Sequence, residues 1–151
     1  MSNKILFPLI AFGILLFMGV YFLVNPSYQK SLQAKYYFET GEYKEAHLLA
    51  KEAFGMDVYN RMASTVMAQS VTALKYVAYI DEAKKYMTQI NEIATHEAIS
   101  DQDKAKIRLM CEIMVSSYVK LAPSVITDAD LIEETKIYYE KFETLLEKVN
   151  K

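Results

Sequence analysis

Residues 36–57 read YYFETGEYKEAHLLAKEAFGMD. Apolar and small residues recur at helical spacing on both sides of Thr40-Gly41, so the segment predicts two helices meeting at a corner. Glycine adopts positive φ without steric cost, which suits it to that corner. Ala46 and Ala53 are small enough for two backbones to approach, and Tyr37 and Tyr43 flank the crossing. A helix pair of this size cannot bury its apolar face alone, so it requires neighbours of the same kind.

The helical period continues in both directions from this segment. Asn25-Pro26 reads as an N-cap followed by proline in the first turn, opening a helix that runs to about Glu39. After the corner a second helix covers Glu42 to Phe54, with Gly55 as its stop and Asp57 as the cap of the next. A third is expected from about Val58 to Tyr76, rich in small residues, and a fourth from about Tyr79 to His96. Gln69 and Lys75 make the third too polar to be a membrane span. Ser-Asp-Gln-Asp at 100–103 resembles a capping box for a fifth, with Asp103 in place of the usual Glu or Gln. Its stripe is Ile107, Met110, Cys111, Met114, Val115 and Tyr118, and Leu121-Ala122-Pro123 ends it. Thr127 to Asp130 cap a sixth, with Leu131, Thr135, Tyr138, Phe142, Leu145 and Val149 facing inward. No alternation of β-branched and polar residues predicts a strand, so the body 26–151 reads as all-α, six helices in three αα-hairpins.

Ahead of this body, 17 of the 20 residues from Ile5 to Val24 are apolar and none is charged. Twenty helical residues rise roughly 30 Å, the thickness of a hydrocarbon core. A cleaved signal would have a shorter apolar region and a small-residue cleavage site, and the stretch ends instead at Leu23-Val24-Asn25-Pro26. Pro8 is expected in the first turn. Gly13 and Gly19 do not form the G-x-x-x-G spacing of a helix dimer. Residues 1–25 therefore read as a short tail and a single transmembrane anchor. Lys4 stands on its amino side, and Lys30, Lys35 and Lys44 on the other. With so short a tail the reading leans to an inner (cytoplasmic) membrane with the domain on the extracytoplasmic, periplasmic side.

The 52% apolar content is thus a blend of this anchor and a body of ordinary soluble composition. A net charge of -2 argues against a nucleic-acid surface. The lone Cys111 lies on an apolar stripe and reads as a buried thiol. His47 and His96 stand apart, without the partners of a catalytic or metal site. Asp101-x-Asp103 and Asp128-x-Asp130 lack the glycine and glutamate of a calcium loop and read as caps. No phosphate-binding, nucleophile-elbow or dinucleotide motif is present. The expectation is no enzyme, no cofactor, no metal and no small-molecule substrate. Twelve tyrosines suit interfaces, though packing between helices is the plainer role for any one of them.

The corner segment resembles a tetratricopeptide repeat (TPR). Tyr37, Gly41, Tyr43, Ala46 and Ala53 stand where that family places an aromatic, the inter-helix glycine, a second aromatic and two packing alanines, with Ala34 at the small position of the first helix. It departs from the family at Lys30, Gln33, Ala50 and Val58, where tryptophan, leucine, an aromatic and proline are usual. Ala78-Tyr79-Ile80-Asp81-Glu82-Ala83 echoes residues 41–46, but Ala46 and Ala83 are 37 apart rather than 34. The last hairpin matches only as two amphipathic helices. The resemblance implies a solenoid of three helix pairs, the family minimum, with the last helix as a polar cap. It also implies a concave groove for a protein partner, lined by the first helix of each pair. The positions carried over are Tyr28, Ser31, Lys35, Phe38 and Glu39, then Thr65, Ala68, Thr72, Lys75 and Tyr76. Ser31 and Lys35 stand where some TPR cochaperones hold a carboxylate clamp, which disfavours a chaperone tail as ligand. The implied function is a membrane-anchored scaffold, assembly factor or stability chaperone for a membrane complex such as a flagellar, secretion or division machine. A permanent structural subunit of such a machine is the alternative, and a membrane-bound enzyme a remote one.

Overall fold

The computed structural model describes residues 3–123 and 127–150, with side chains from Leu6 onward. The tail residues 1 and 2 and the Lys4 side chain lie outside the described residues. Six helices follow in order: α1 Asn3–Val24, α2 Pro26–Glu39, α3 Tyr43–Met56, α4 Arg61–Ala94, α5 Asp101–Tyr118 and α6 Ala129–Val149. Among the described residues there is no strand. The chain forms two compact units, Met1–Val71 and Thr72–Lys151, and the boundary falls within α4.

In the first unit α1 is long and apolar enough to cross a membrane, and its side chains from Leu6 to Val24 are exposed throughout. It begins at Asn3, so Pro8 stands inside the helix, further along than the first turn expected for it. One residue separates α1 from α2. Asn25 takes φ -75° and ψ 116°, and its side chain accepts from the Ser27 N–H at 3.0 Å. The far end of α2 closes with two reversed bonds, Glu42 N–H to the Tyr37 carbonyl at 2.8 Å and Gly41 N–H to that of Phe38 at 3.2 Å. This double closure needs a left-handed residue, and Gly41 supplies it with φ 84°.

The next boundaries differ from expectation. Gly55 does not stop α3. Among the described residues Gly41 alone has positive φ, and the helix runs on to Met56 because the Asp57 N–H still reaches the Ala53 carbonyl at 3.1 Å. Nor does Asp57 cap α4. Its carboxylate accepts from the Tyr59 N–H at 2.9 Å and shapes the turn, while Asn60 Oδ1 takes the cap bond from Ala63 N–H at 3.1 Å. The helices expected over 58–76 and 79–96 are one helix of 34 residues. Val77-Ala78 contains no glycine, proline or cap, so nothing there interrupts the i→i−4 ladder. The body therefore has five helices rather than six, and the three αα-hairpins reduce to α2–α3, a long α4, and α5–α6.

The first unit's core is small-residue packing. Ala34, Ala46 and Ala50 are completely enclosed with Val66, and Tyr37, Phe38, Leu49, Met62 and Met67 close over them. The second unit is filled by larger side chains: Phe142 and Met114 are wholly buried beside Cys111, Ile107, Ile90, Ala83 and Tyr79. Helix α5 opens with the anticipated capping box, Ser100 and Asp103 exchanging bonds in both directions. Asp128 caps α6 through the Asp130 N–H at 3.0 Å.

Candidate functional site

The residues assigned to a partner groove divide between the units. Tyr28, Ser31, Lys35, Phe38, Glu39, Thr65 and Ala68 belong to the first, and Thr72, Lys75 and Tyr76 to the second. Lys35 and Glu39 are exposed on α2 and pair at 3.7 Å, and Thr65 and Ala68 are exposed on α4. Tyr28 and Phe38 are half-buried. Tyr28 meets Phe22 edge-on at 4.7 Å, and Phe38 meets Tyr43 edge-on at 5.4 Å. In the second unit Lys75 is exposed and Thr72 half-buried.

Two of the ten side chains are not available to a partner. Ser31 is fully enclosed: its hydroxyl donates to the Tyr28 carbonyl at 2.9 Å and accepts from Asn60 Nδ2 at 3.2 Å. A serine one turn from Ser27 on the face that meets Asn60 serves packing, so the assignment of Ser31 to the groove is corrected. Tyr76 is 3% exposed, and burial raises its phenol pKa, with Tyr118 adding to the shift. It too belongs to the interior.

Three features escaped the sequence reading. At the α1–α2 elbow, Phe17, Val20, Tyr21, Val24, Asn25 and Pro26 line an open, largely apolar depression of about 360 Å³. At the C-terminal end of α3, Met56, Val58 and Tyr59 are exposed. In the second unit the tyrosines cluster. Tyr118 stacks on Tyr139 at 4.3 Å, and the buried Tyr79 ring lies 6.1 Å from Tyr118. Burial raises the Tyr79 pKa first, then the neighbouring Tyr118 and Tyr139. That of Tyr139 rises mainly through its hydrogen bond to Glu143. The raised phenols of Tyr79 and Tyr139 stay neutral near pH 7 and supply apolar area rather than a nucleophile. Patterning at helical spacing hinted at the cluster; the elbow and the loop needed tertiary structure.

The histidines stand apart. His47 Nδ1 lies 3.4 Å from the Met67 carbonyl oxygen, and exposed His96 lies 3.6 Å from Asp103 Oδ2. Among the described residues no three His, Cys, Asp or Glu side chains are grouped to hold a metal. Asp103 accepts from the Ser100 hydroxyl at 2.7 Å and its N–H at 3.2 Å, and these bonds, with a smaller effect of His96, lower its carboxyl pKa. A lowered carboxyl stabilises the fold above the ordinary range near 3.9 and loses that contribution as pH falls through its own lower value. The Asp103 carboxyl should therefore titrate below the ordinary range by carbon NMR, and Ser100→Ala should move it upward. An unmoved midpoint would show that the capping box does not hold the charge. Burial pushes the Cys111 thiol up to about 11, with Glu112 adding to the shift. At pH 8 it should react with a maleimide at least about 100-fold more slowly folded than in urea, because the thiolate is the nucleophile. Equal rates would place the sulfur at the surface.

The chain matches no family model, no curated protein and no solved structure.

Proposed function

We propose that the chain is a membrane-anchored protein-interaction module, with α1 in the bilayer and the helical body binding a protein of a membrane complex. The observation that carries this reading is α1 itself. Nineteen consecutive residues, Leu6–Val24, form an apolar helix exposed along its whole length, joined to a helical body by the single residue Asn25. A helix that is apolar all round and exposed along its length needs an apolar surrounding. Tethering also raises the body's effective concentration near a membrane partner without added contacts.

The body fits such a role as a TPR-like scaffold, assembly factor or stability chaperone for an envelope machine of the flagellar, secretion or division kind. Support comes from the α2–α3 corner, where Gly41 closes the turn and Ala34, Ala46 and Ala53 are fully enclosed at the crossing. The contact residues retained on the first unit are Tyr28, Lys35, Phe38, Glu39, Thr65 and Ala68. No catalytic step, cofactor or metal is assigned. The membrane is taken as the inner membrane, with the body on its extracytoplasmic side.

Photocrosslinking in intact cells tests the reading. A benzophenone residue at Lys35, Glu39, Thr65 or Ala68 should trap one membrane protein, while the same group at exposed Lys120 should not. Equal yields at all five positions would overturn the groove. Removal of residues 1–24 should release the body from the membrane fraction. A phosphatase reporter after Lys151 should be active outside the cytoplasm, and a reporter active only inside would reverse the orientation.

A further inference from the structure

The end of the first unit nearest the exit of α1 carries a turn whose outward side chains are apolar. Ser27 lies two residues beyond Asn25. Its hydroxyl donates to the Ala53 carbonyl at 2.8 Å and accepts from Asn60 Nδ2 at 2.9 Å. Ala53 precedes the turn 56–59 and Asn60 follows it, so both of its ends are held against the first turn of α2. Lys30 and Glu52, paired at 2.7 Å, tie α2 to α3 near this same end. Within the turn Met56 is 50% exposed, Val58 60% and Tyr59 86%.

Polar residues normally build such a connection. Here the polar member is turned back on the loop: Asp57 accepts from the Tyr59 N–H, and the Asn60 N–H donates to the Asp57 carbonyl at 3.1 Å. What projects is a methionine, a valine and a tyrosine, with exposed Arg61 immediately after them.

The facing side is equally specific. Tyr21 and Phe22 meet edge-on at 5.9 Å, Phe22 meets Tyr28 at 4.7 Å, and Asn25 Nδ2 lies 3.3 Å from the Tyr21 hydroxyl. Gln29 adds a bond from its side-chain amide back to the Leu23 carbonyl. Tyrosines with an apolar body and a polar tip collect where hydrocarbon gives way to headgroups. They mark that level between Tyr21 and Tyr28, the level to which Ser27 ties the turn.

We infer that residues 56–59 are a second membrane contact, with Met56, Val58 and Tyr59 seated at the headgroup–acyl boundary of the bilayer that α1 crosses. This rests on the reading of α1 as an anchor. The occupant is lipid: the turn lies beside the point where α1 leaves the membrane, its exposed side chains are those of an interfacial segment, and Arg61 offers a cation at headgroup level. Two attachment points fix the tilt of the α2–α3 hairpin, where one would let it swing about Asn25.

The chain has no tryptophan, so single-tryptophan variants report cleanly. Full-length Leu15→Trp, Tyr59→Trp and Thr40→Trp are each reconstituted into phosphatidylcholine–phosphatidylglycerol vesicles carrying nitroxide lipids, labelled near the headgroup or near the acyl terminus. Thr40 ends α2, about 20 Å along its axis from Asn25. Expected are quenching of Leu15→Trp by the deep label, loss of about half the Tyr59→Trp emission to the shallow label, and little loss for Thr40→Trp. Tyr59→Trp quenched no more than Thr40→Trp, with Leu15→Trp quenched, overturns the inference and leaves the anchor standing. A blue-shifted but unquenched Tyr59→Trp assigns the turn to a protein surface and also overturns it. An unquenched Leu15→Trp removes anchor and inference together.

Discussion

Phe142→Ala should remove about 3–5 kcal/mol from the stability of the second unit, the range for deleting an enclosed aromatic ring. Phe142 is the largest wholly buried side chain described, and it sits among Ile107, Met110, Cys111, Met114, Ile90 and Tyr79. Both the transfer energy of the ring and the cavity left behind contribute, since helices joined on either side relax only partly into the space. Against a total of about 5–15 kcal/mol for a typical domain, the loss is large enough to expose α5 and α6 to local unfolding. Phe142→Leu keeps most of the apolar area and should cost about 1–2 kcal/mol. Ile137 lies on the same helix but is 44% exposed, so Ile137→Ala should stay within about 0.5 kcal/mol. Hydrogen exchange of α5 and α6 amides in detergent micelles measures all three. A Phe142→Ala effect no larger than that of Ile137→Ala would show that the ring is not enclosed.

What could be read in the sequence followed local chemistry. Helix α2 was legible at both ends because each carries its own signal: Asn25 with Pro26 at the start, and Gly41, whose positive φ lets two carbonyls be satisfied by reversed bonds. The capping box of α5 was legible for the same reason. Gly55 misled because glycine permits a stop without requiring one; the Ala53 carbonyl still finds the Asp57 N–H, and the helix continues. The merging of two expected helices into α4 has the converse cause, an absence of any stop signal around Val77-Ala78.

The candidate groove was legible only as a register. Periodicity places Ser31 and Lys35 on α2 but cannot say which faces a neighbour. That choice is made by Asn60, 29 residues away in sequence, which buries Ser31 while Lys35 stays in solvent. The 56–59 turn was invisible for a related reason. Its apolar residues look ordinary in a sequence, and their position at the α1 end emerges once Ser27 is seen to hold Ala53 and Asn60 together.

Asn60→Ala should cost the first unit about 2–4 kcal/mol, more than a surface cap, because Asn60 is both a cap and the centre of a buried network. It is completely enclosed. Its oxygen accepts from Ala63 N–H at 3.1 Å, and its amide donates to the hydroxyls of Ser27 at 2.9 Å and Ser31 at 3.2 Å. Alanine removes the cap, worth about 1 kcal/mol, and leaves two buried hydroxyl oxygens without a donor. The division of labour between Asp57 and Asn60 follows from the same inventory: a carboxylate accepts but cannot donate, and this position needs both. Asn60→Asp is therefore the sharper test. It keeps the cap acceptor but turns a negative charge toward serine oxygens whose hydrogens are already given to the Ala53 and Tyr28 carbonyls. Burial raises such a carboxyl pKa, so the folded state binds its proton more tightly than the unfolded state does. Stability lost at pH 7 should then recover as pH falls toward the unfolded value near 3.9. Ser31→Ala combined with Asn60→Ala should cost less than the sum of the two, since each removes the other's orphaned partner. Urea titrations in detergent, read through exchange of α2 and α3 amides, give these differences. Additive costs, or an Asn60→Asp variant that weakens further as pH falls, would show that Asn60 acts as an ordinary cap and not as the hub joining α2, α3 and α4.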